Sequence, residues 1–297
     1  MKTKRKIFIA FILNLLFSIF ELFGGFITGS VAIASDAVHD FGDAASIGMA
    51  YFFEKISDKK PDKKYTYGYA RFSLLGGFLT TFILLISSGI VIYSAILRII
   101  TPTTINYSGM IGFAIVGLIV NLIAAYFTHG GKSMNQKAVN LHMLEDVLGW
   151  AVVLVGAIVM QFTNLSIIDP LLSIGVALFI IINSVKNLLQ IVDIFLIKTP
   201  KHIDVDELAE HIKHIEGVMD VHHIHVWTID GETNCATLHI VCEEMNSRIK
   251  AEVKEELKEH GISHTTIEME TLLENCEEKT CDIRKQIPHC HHHHHHH

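Results

Sequence analysis

Charge is what this chain has least of. Only 19% of its 297 residues are charged, half are hydrophobic and the mean hydropathy is +0.38, whereas a soluble domain has about a quarter of its residues charged. That shortage excludes a fully soluble enzyme. Cysteine is scarce and odd in number: Cys235, Cys242, Cys276, Cys281 and Cys290 all lie beyond residue 200, with no secretory cleavage pattern. A secreted disulfide scaffold is thereby excluded, and reduced cytosolic thiols, some available as metal ligands, fit better. Positive charge is short in the C-terminal part: residues 201–297 hold 9 Lys+Arg and 20 Asp+Glu, while residues 1–200 hold 15 and 11. An acidic soluble part argues against a nucleic-acid partner. Two motifs are also missing. There is no Gly-x4-Gly-Lys-Ser/Thr loop to bind ATP, and no His-Glu-x-x-His to build a metalloprotease. Of the 20 histidines, His291–His297 form a terminal run that reads as a purification tag and is set aside.

What is present is a series of apolar runs long enough for a bilayer, about 20 residues each. They lie at Ile7–Ile27, Val31–Phe53, Phe72–Ile100, Ser108–Phe127, Ala138–Phe162 and Pro170–Ile197. Lysine and arginine gather before the first, between the second and third, between the fourth and fifth, and after the sixth. The alternate connections, Thr28–Ser30, Thr101–Tyr107 and Thr163–Asp169, have none. By the positive-inside rule this predicts six spans with both termini cytoplasmic.

The acidic part reads as a small α/β module on the cytosolic side. Asp204 can cap a helix to about Ile215, with His211 and His214 facing water. Val218–Trp227 alternates as a strand, Asp230-Gly231 marks a hairpin and Asn234–Val241 is the return strand. Ser247 can cap an amphipathic helix to about His260, and Thr265–Glu270 is a third strand. The order αββαβ predicts a ferredoxin-like sheet covered on one face by helices.

Ionisable residues inside apolar spans need a reason, because each costs roughly 2.5–3.5 kcal/mol on insertion scales. In span two His39 and Asp43 are four apart and share a helical face; in span five His142 and Asp146 repeat that spacing. One such pair reads equally well as a buried polar contact. Two identical pairs supply two imidazoles and two carboxylates, a set suited to tetrahedral zinc. Asn14 and Glu21 in span one and Asn121 in span four read as interhelical glue.

At these residues the chain resembles the cation diffusion facilitator family of metal/proton antiporters. Gly24–Asp43 looks like the family's first-to-second-helix signature, Tyr67–Arg71 the start of its third helix, His142–Asp146 its helix-five motif and Val221–Trp227 its cytosolic strand. The resemblance runs from about Lys6 to Glu270. It implies that His39, Asp43, His142 and Asp146 form the transport site, in the pattern of zinc-selective members. It also implies a homodimer, and cytosolic metal binding through His222 and His239 on the first two strands, with Glu268 and Glu270 on the third where some relatives have histidine. The expected divisions are 1–199 for the transport domain, 200–275 for a metal-binding and dimerisation domain, 276–290 for a cysteine-containing tail and 291–297 for the tag.

Departures from the family pattern carry expectations of their own. Tyr69 stands where some members have a loop histidine, and Asp58 and Asp62 have no imidazole nearby in sequence, so no strong loop site is expected. Asp40 replaces a residue that is usually apolar and points about 100° from His39 on an ideal helix; with Asp36 it reads as a supporting or proton-handling group. His223 and His225 have the opposite strand parity from His222, so a regular strand does not bring all three to one site. Cys276-x4-Cys281, with His289 and Cys290 behind, has the loose spacing of a zinc clip or of a disordered reduced tail.

The ligand chemistry suggests how such a site works. Zinc needs neutral imidazole and ionised carboxylate, so metal and protons compete for one set of groups. Histidine, near pKa 6.5, lets a modest shift exchange the two loads. With no ATP motif, the driving force is expected to be the proton gradient and the direction export from the cytoplasm across the plasma membrane. The alternatives are a membrane zinc sensor, or a transporter preferring cadmium, cobalt, manganese or iron.

Overall fold

The computed structural model describes residues 3–28, 31–101, 107–163 and 167–272, with the side chains of residues 24–39, 98, 107–110, 113, 153, 157, 160–163, 168, 169 and 172 outside that description. The chain divides into two compact units, Met1–Ile197 with Ile229–Glu232, and Lys198–Thr228 with the chain from Thr233 onward.

The first unit is built from six helices: α1 (Thr3–Thr28), α2 (Val31–Ser57), α3 (Arg71–Ile100), α4 (Tyr107–Thr128), α5 (Met134–Thr163) and α6 (Ile168–Phe195). Among the described residues, four contain stretches long and apolar enough to cross a membrane: Thr3–Phe23, Arg71–Leu97, Met134–Gly156 and Ser173–Phe195. A shorter apolar stretch, Ala114–Thr128, lies in α4. α2 carries Asp36, Asp40, Asp43 and Glu54 along its length, which lowers its apolar content.

Helices α1, α2, α4 and α5 meet around Ile7, Ala10, Ile47, Ala50, Ala124, Val139 and Met143, all fully buried. α3 and α6 lie alongside, joined to the start of α5 by Leu74, Met134, Ile191 and Ile194. Many large apolar side chains, among them Leu16, Ile90, Ile119 and Leu189, point outward, as they do where lipid rather than core covers them. Lipid gives helices little hydrophobic reason to associate, so close fit and hydrogen bonds must hold them. Gly77 supplies the fit: a Cβ there would sit 3.0 Å from the Asn135 backbone. Glu54 supplies the bonds. It is buried at the end of α2 and accepts from Ser73 Oγ at 2.6 Å and Asn135 Nδ2 at 2.9 Å, while Ser73 and Ser133 lie 2.9 Å apart.

The second unit runs α7 (Val205–Lys213), β1 (Val218–Thr228), β2 (Asn234–Cys242), α8 (Ser247–Glu259) and β3 (Ile262–Thr271). Asp204 caps α7 as expected, its Oδ1 accepting from the amides of Asp206 and Glu207. The cap of α8 is Asn246 rather than Ser247: its extended backbone lets Oδ1 accept from the Arg248 amide at 2.9 Å. The sheet order is β1-β2-β3, antiparallel then parallel, so α8 is the crossover that a parallel pair requires. Leu208 and Ile212 of α7 and Ile249, Val253 and Leu257 of α8 pack in one core with Val221, Leu238, Ile240 and Ile267 of the sheet. Alternation therefore turns His239, Glu268 and Glu270 to the face away from the helices. Cys235 and Cys242 are buried on β2 with neither in a disulfide, and burial pushes the Cys242 thiol up from its ordinary value. Cys276, Cys281 and Cys290 lie outside the described residues.

Candidate metal centre

In the helical unit α2 and α5 bring three of the four expected intramembrane ligands together. Asp43 on α2 and His142 and Asp146 on α5 each offer a ligand atom, all within 4.8 Å of one another. Asp43 and His142 are buried, and His142 Nε2 lies 3.6 Å from Asp43 Oδ1. Tetrahedral zinc ligands at bond lengths of 2.0–2.2 Å sit about 3.3 Å apart, so this spacing needs little adjustment to close on an ion. His39 lies in α2 one turn before Asp43, and Asp36 another turn back, but both side chains fall outside the described residues. Asp40 is half-buried.

The sequence reading does not pair two neighbours of this cluster with it. Asn14 of α1, expected as glue between helices, donates from Nδ2 to Asp146 Oδ2 at 3.4 Å, which ties a third helix to a candidate ligand. Ser88 of α3 donates to Glu145 Oε1 at 2.8 Å, beside Asp146. Neither follows from spacing, because each depends on which helices are neighbours. Glu54 did leave a trace: it is 11 residues after Asp43, about three helical turns, and so continues the same face of α2.

In the α/β unit the expected cytosolic ligands also gather. His222 and His239 are paired across β1 and β2, and Glu268 is the register partner of His239 on β3. Atoms of His222, His239 and Glu270 lie within 4.8 Å of one another. His222 Nε2 is 3.3 Å from Glu270 Oε2, though not aligned as a hydrogen bond, and His239 Nδ1 meets Glu270 Oε1. Glu268 stands at the rim, 3.4 Å from His239 Nε2 and largely exposed.

The parity expectation fails at His223. The β1 register shifts between His222 and His225, and His223 takes the left-handed conformation, φ 51°. This irregularity turns its ring to the face of its neighbours, with ring centroids 5.3 Å from His222 and 4.8 Å from His239. A regular strand would have sent it to the opposite face. His225, beyond the shift, is exposed. Between α2 and α3, Asp62 serves the loop itself: it accepts from the amides of Lys64 and Tyr65 and from the Tyr69 hydroxyl.

Comparison with known proteins agrees with this division. The model of the cation efflux transmembrane domain matches residues 7–196, and that of the cation efflux protein cytoplasmic domain matches residues 200–272. A Bacillus subtilis protein named as a cadmium, cobalt and zinc/H(+)-K(+) antiporter is 31% identical over 97% of this chain and 96% of its own. The zinc transporter ZitB of Escherichia coli is 30% identical over 97% and 93%. The metal cation efflux system protein CzcD of Cupriavidus metallidurans is 31% identical over 93% and 88%. Their shared activity is secondary transport and not enzymatic. The chain belongs to the cation efflux, or cation diffusion facilitator, family: it is a multi-pass membrane protein of metal efflux.

Proposed function

We propose that this protein exports divalent metal, zinc foremost, from the cytoplasm in exchange for protons by alternating access. The observation that carries the reading is the convergence of Asp43, His142 and Asp146 from two helices of the membrane-type unit. His39, one turn from Asp43 on α2, completes the ligand set. The site then holds either a metal ion or protons, because the imidazoles must be neutral and the carboxylates ionised before metal binds. Captured from the cytosol, the ion is released when the site opens outward and protons take the ligands. The relative named for antiport of cadmium, cobalt and zinc supports both the exchange and the metal class.

The rest of the reading follows from that placement. All six helices span the plasma membrane, with both termini cytoplasmic as the lysine distribution requires. Residues 1–199 form the transport domain, and 200–275 a ferredoxin-like module that pairs two copies of the chain. In this module His222, His239 and Glu270, with Glu268 at the rim, bind metal from the cytosol; His223 is a further donor on the same face. Asp36 and Asp40 handle protons beside the transport site. A zinc clip at Cys276 and Cys281 in the tail (276–290) belongs to the same reading.

Reconstituted protein tests it. In proteoliposomes with an imposed pH gradient, zinc flux and opposing proton movement are expected in the wild type and lost in Asp146→Ala. Zinc binding without flux, in correctly oriented and folded wild type, would overturn the exporter and leave a membrane metal sensor.

A further inference from the structure

A histidine–carboxylate cluster of a different kind lies on the helical side of the α/β unit. His211 occupies the last turn of α7, and Glu256 and His260, four residues apart, share one face of α8. His211 Nδ1 is 3.1 Å from Glu256 Oε1, and His260 Nδ1 is 3.5 Å from that same oxygen. The two rings meet edge to face with centroids 5.0 Å apart, and ligand atoms of all three groups lie within 4.8 Å of one another. The His211–Glu256 separation is close to the roughly 3.3 Å between ligand atoms of a tetrahedral zinc ion. His260 Nδ1 is also 2.9 Å from the Glu256 carbonyl oxygen; donating a proton there leaves Nε2 as the lone pair for a metal. The cluster is partly exposed, with side-chain exposures of 48%, 26% and 22% for His211, Glu256 and His260, so water can complete the coordination.

A Glu–His contact at i,i+4 is ordinary helix-surface chemistry. The informative part is the second imidazole, brought to the same carboxylate oxygen by a different helix. The sheet cluster cannot share an ion with it, because His239 and Glu270 lie on the face turned away from α7 and α8.

We propose that His211, Glu256 and His260 form a binding site for a divalent cation of zinc type, separate from the sheet cluster, which ties α7 to the C-terminal turn of α8. The metal thereby braces the junction at Gly261 from which β3 departs. The proposal does not depend on the transport reading, since a protein that moves no metal can still bind one here.

The test is acylation of histidines by diethyl pyrocarbonate, read residue by residue by mass spectrometry on the full chain with and without zinc chloride. A metal-bound imidazole nitrogen has no lone pair to react. Residue resolution is essential, because a bulk stoichiometry would count His291–His297. Zinc is expected to suppress the reactivity of His211 and His260 together and to leave His214, exposed on the next turn, unchanged. The suppression should persist in His222→Ala/His239→Ala and disappear from His211 in both Glu256→Gln and His260→Gln, two variants that guard against a single folding failure. His211 still reactive at saturating zinc would reduce the cluster to a surface ion pair and overturn the proposal. Loss of protection in the sheet double variant would overturn it as well, by making the effect indirect.

Discussion

The helical unit and the α/β unit gather imidazoles and carboxylates by opposite means. In the first, one spacing, His-x3-Asp, occurs on α2 and again on α5, and two helices side by side suffice to bring Asp43, His142 and Asp146 within 4.8 Å. In the second, three strands each contribute, and the result depends on the register of β1 against β2 and on a local irregularity at His223. A helical cluster is buried and rigid because the whole helix positions it. A strand cluster at a sheet surface is adjustable, because one bulge redirects a side chain. Under the proposed function, the first arrangement serves the ion in transit and the second the cytosolic ion.

The largest expected effect divides the two. His142→Ala should abolish metal flux, a loss beyond the roughly 10–100-fold typical when groups supporting a ligand are removed. His239→Ala should leave flux within a few-fold of wild type while weakening metal binding to the α/β unit. Transport assays of both variants in proteoliposomes check this, and equal losses would mean that the two clusters work as one. Next is Glu54, whose replacement by alanine leaves Ser73, Ser133 and Asn135 without their shared acceptor. A loss of about 1–3 kcal/mol is expected from stranding such buried donors, visible as a lower denaturation midpoint in detergent; an unchanged midpoint would show that packing alone holds α2, α3 and α5. Smaller again is Asn14→Ala. It removes the donor to Asp146 and should weaken metal binding about tenfold without unfolding the protein, as equilibrium binding of zinc will read.

The contrast explains what could be read from residues alone. The pairs on α2 and α5 are visible because helical spacing is local: a difference of four always means one face. The six helices and the Asp204 cap are legible for similar reasons, as long apolar runs and a cap sit in contiguous sequence. Asn14 is not legible as a partner of Asp146, 132 residues away, because nothing in α1 says which helix lies beside it. His223 is hidden by a different cause. Strand parity holds only while the ladder is regular, and no residue near Val218–Trp227 marks the shift. Asn246 rather than Ser247 caps α8 because two adjacent residues can both cap, and only the backbone conformation chooses.

His223 also offers a change whose two effects have opposite signs. A left-handed conformation costs a non-glycine residue roughly 1–2 kcal/mol, of which glycine's extra chain entropy, about 0.5–1 kcal/mol, returns part. His223→Gly is therefore expected to stabilise the metal-free α/β unit by up to about 1 kcal/mol. It should also reduce the further stabilisation that zinc provides, since a donor beside His239 is gone. Thermal scans with and without zinc separate the two. A metal-free protein that loses stability would mean that the ring's packing outweighs the strain.

The smallest effect concerns Asp62, a carboxylate of the loop between α2 and α3. The Tyr69 hydroxyl, and after it the amides of Tyr65 and Lys64, hold the Asp62 carboxyl below its ordinary value of 3.8. A depressed folded value means that these bonds contribute fully above the unfolded value and lose their contribution as pH falls through the folded one. Asp62 is solvent-exposed, so water and salt screen much of the interaction. Amide exchange at Lys64 and Tyr65 should thus be slow at neutral pH relative to Asp62→Asn, with the difference closing only in acid below 3.8. Adding zinc at neutral pH should leave that exchange unchanged, because all the loop donors to Asp62 are already in place. Slower exchange with zinc would make Asp62 a metal ligand and move the loop into the company of the two clusters.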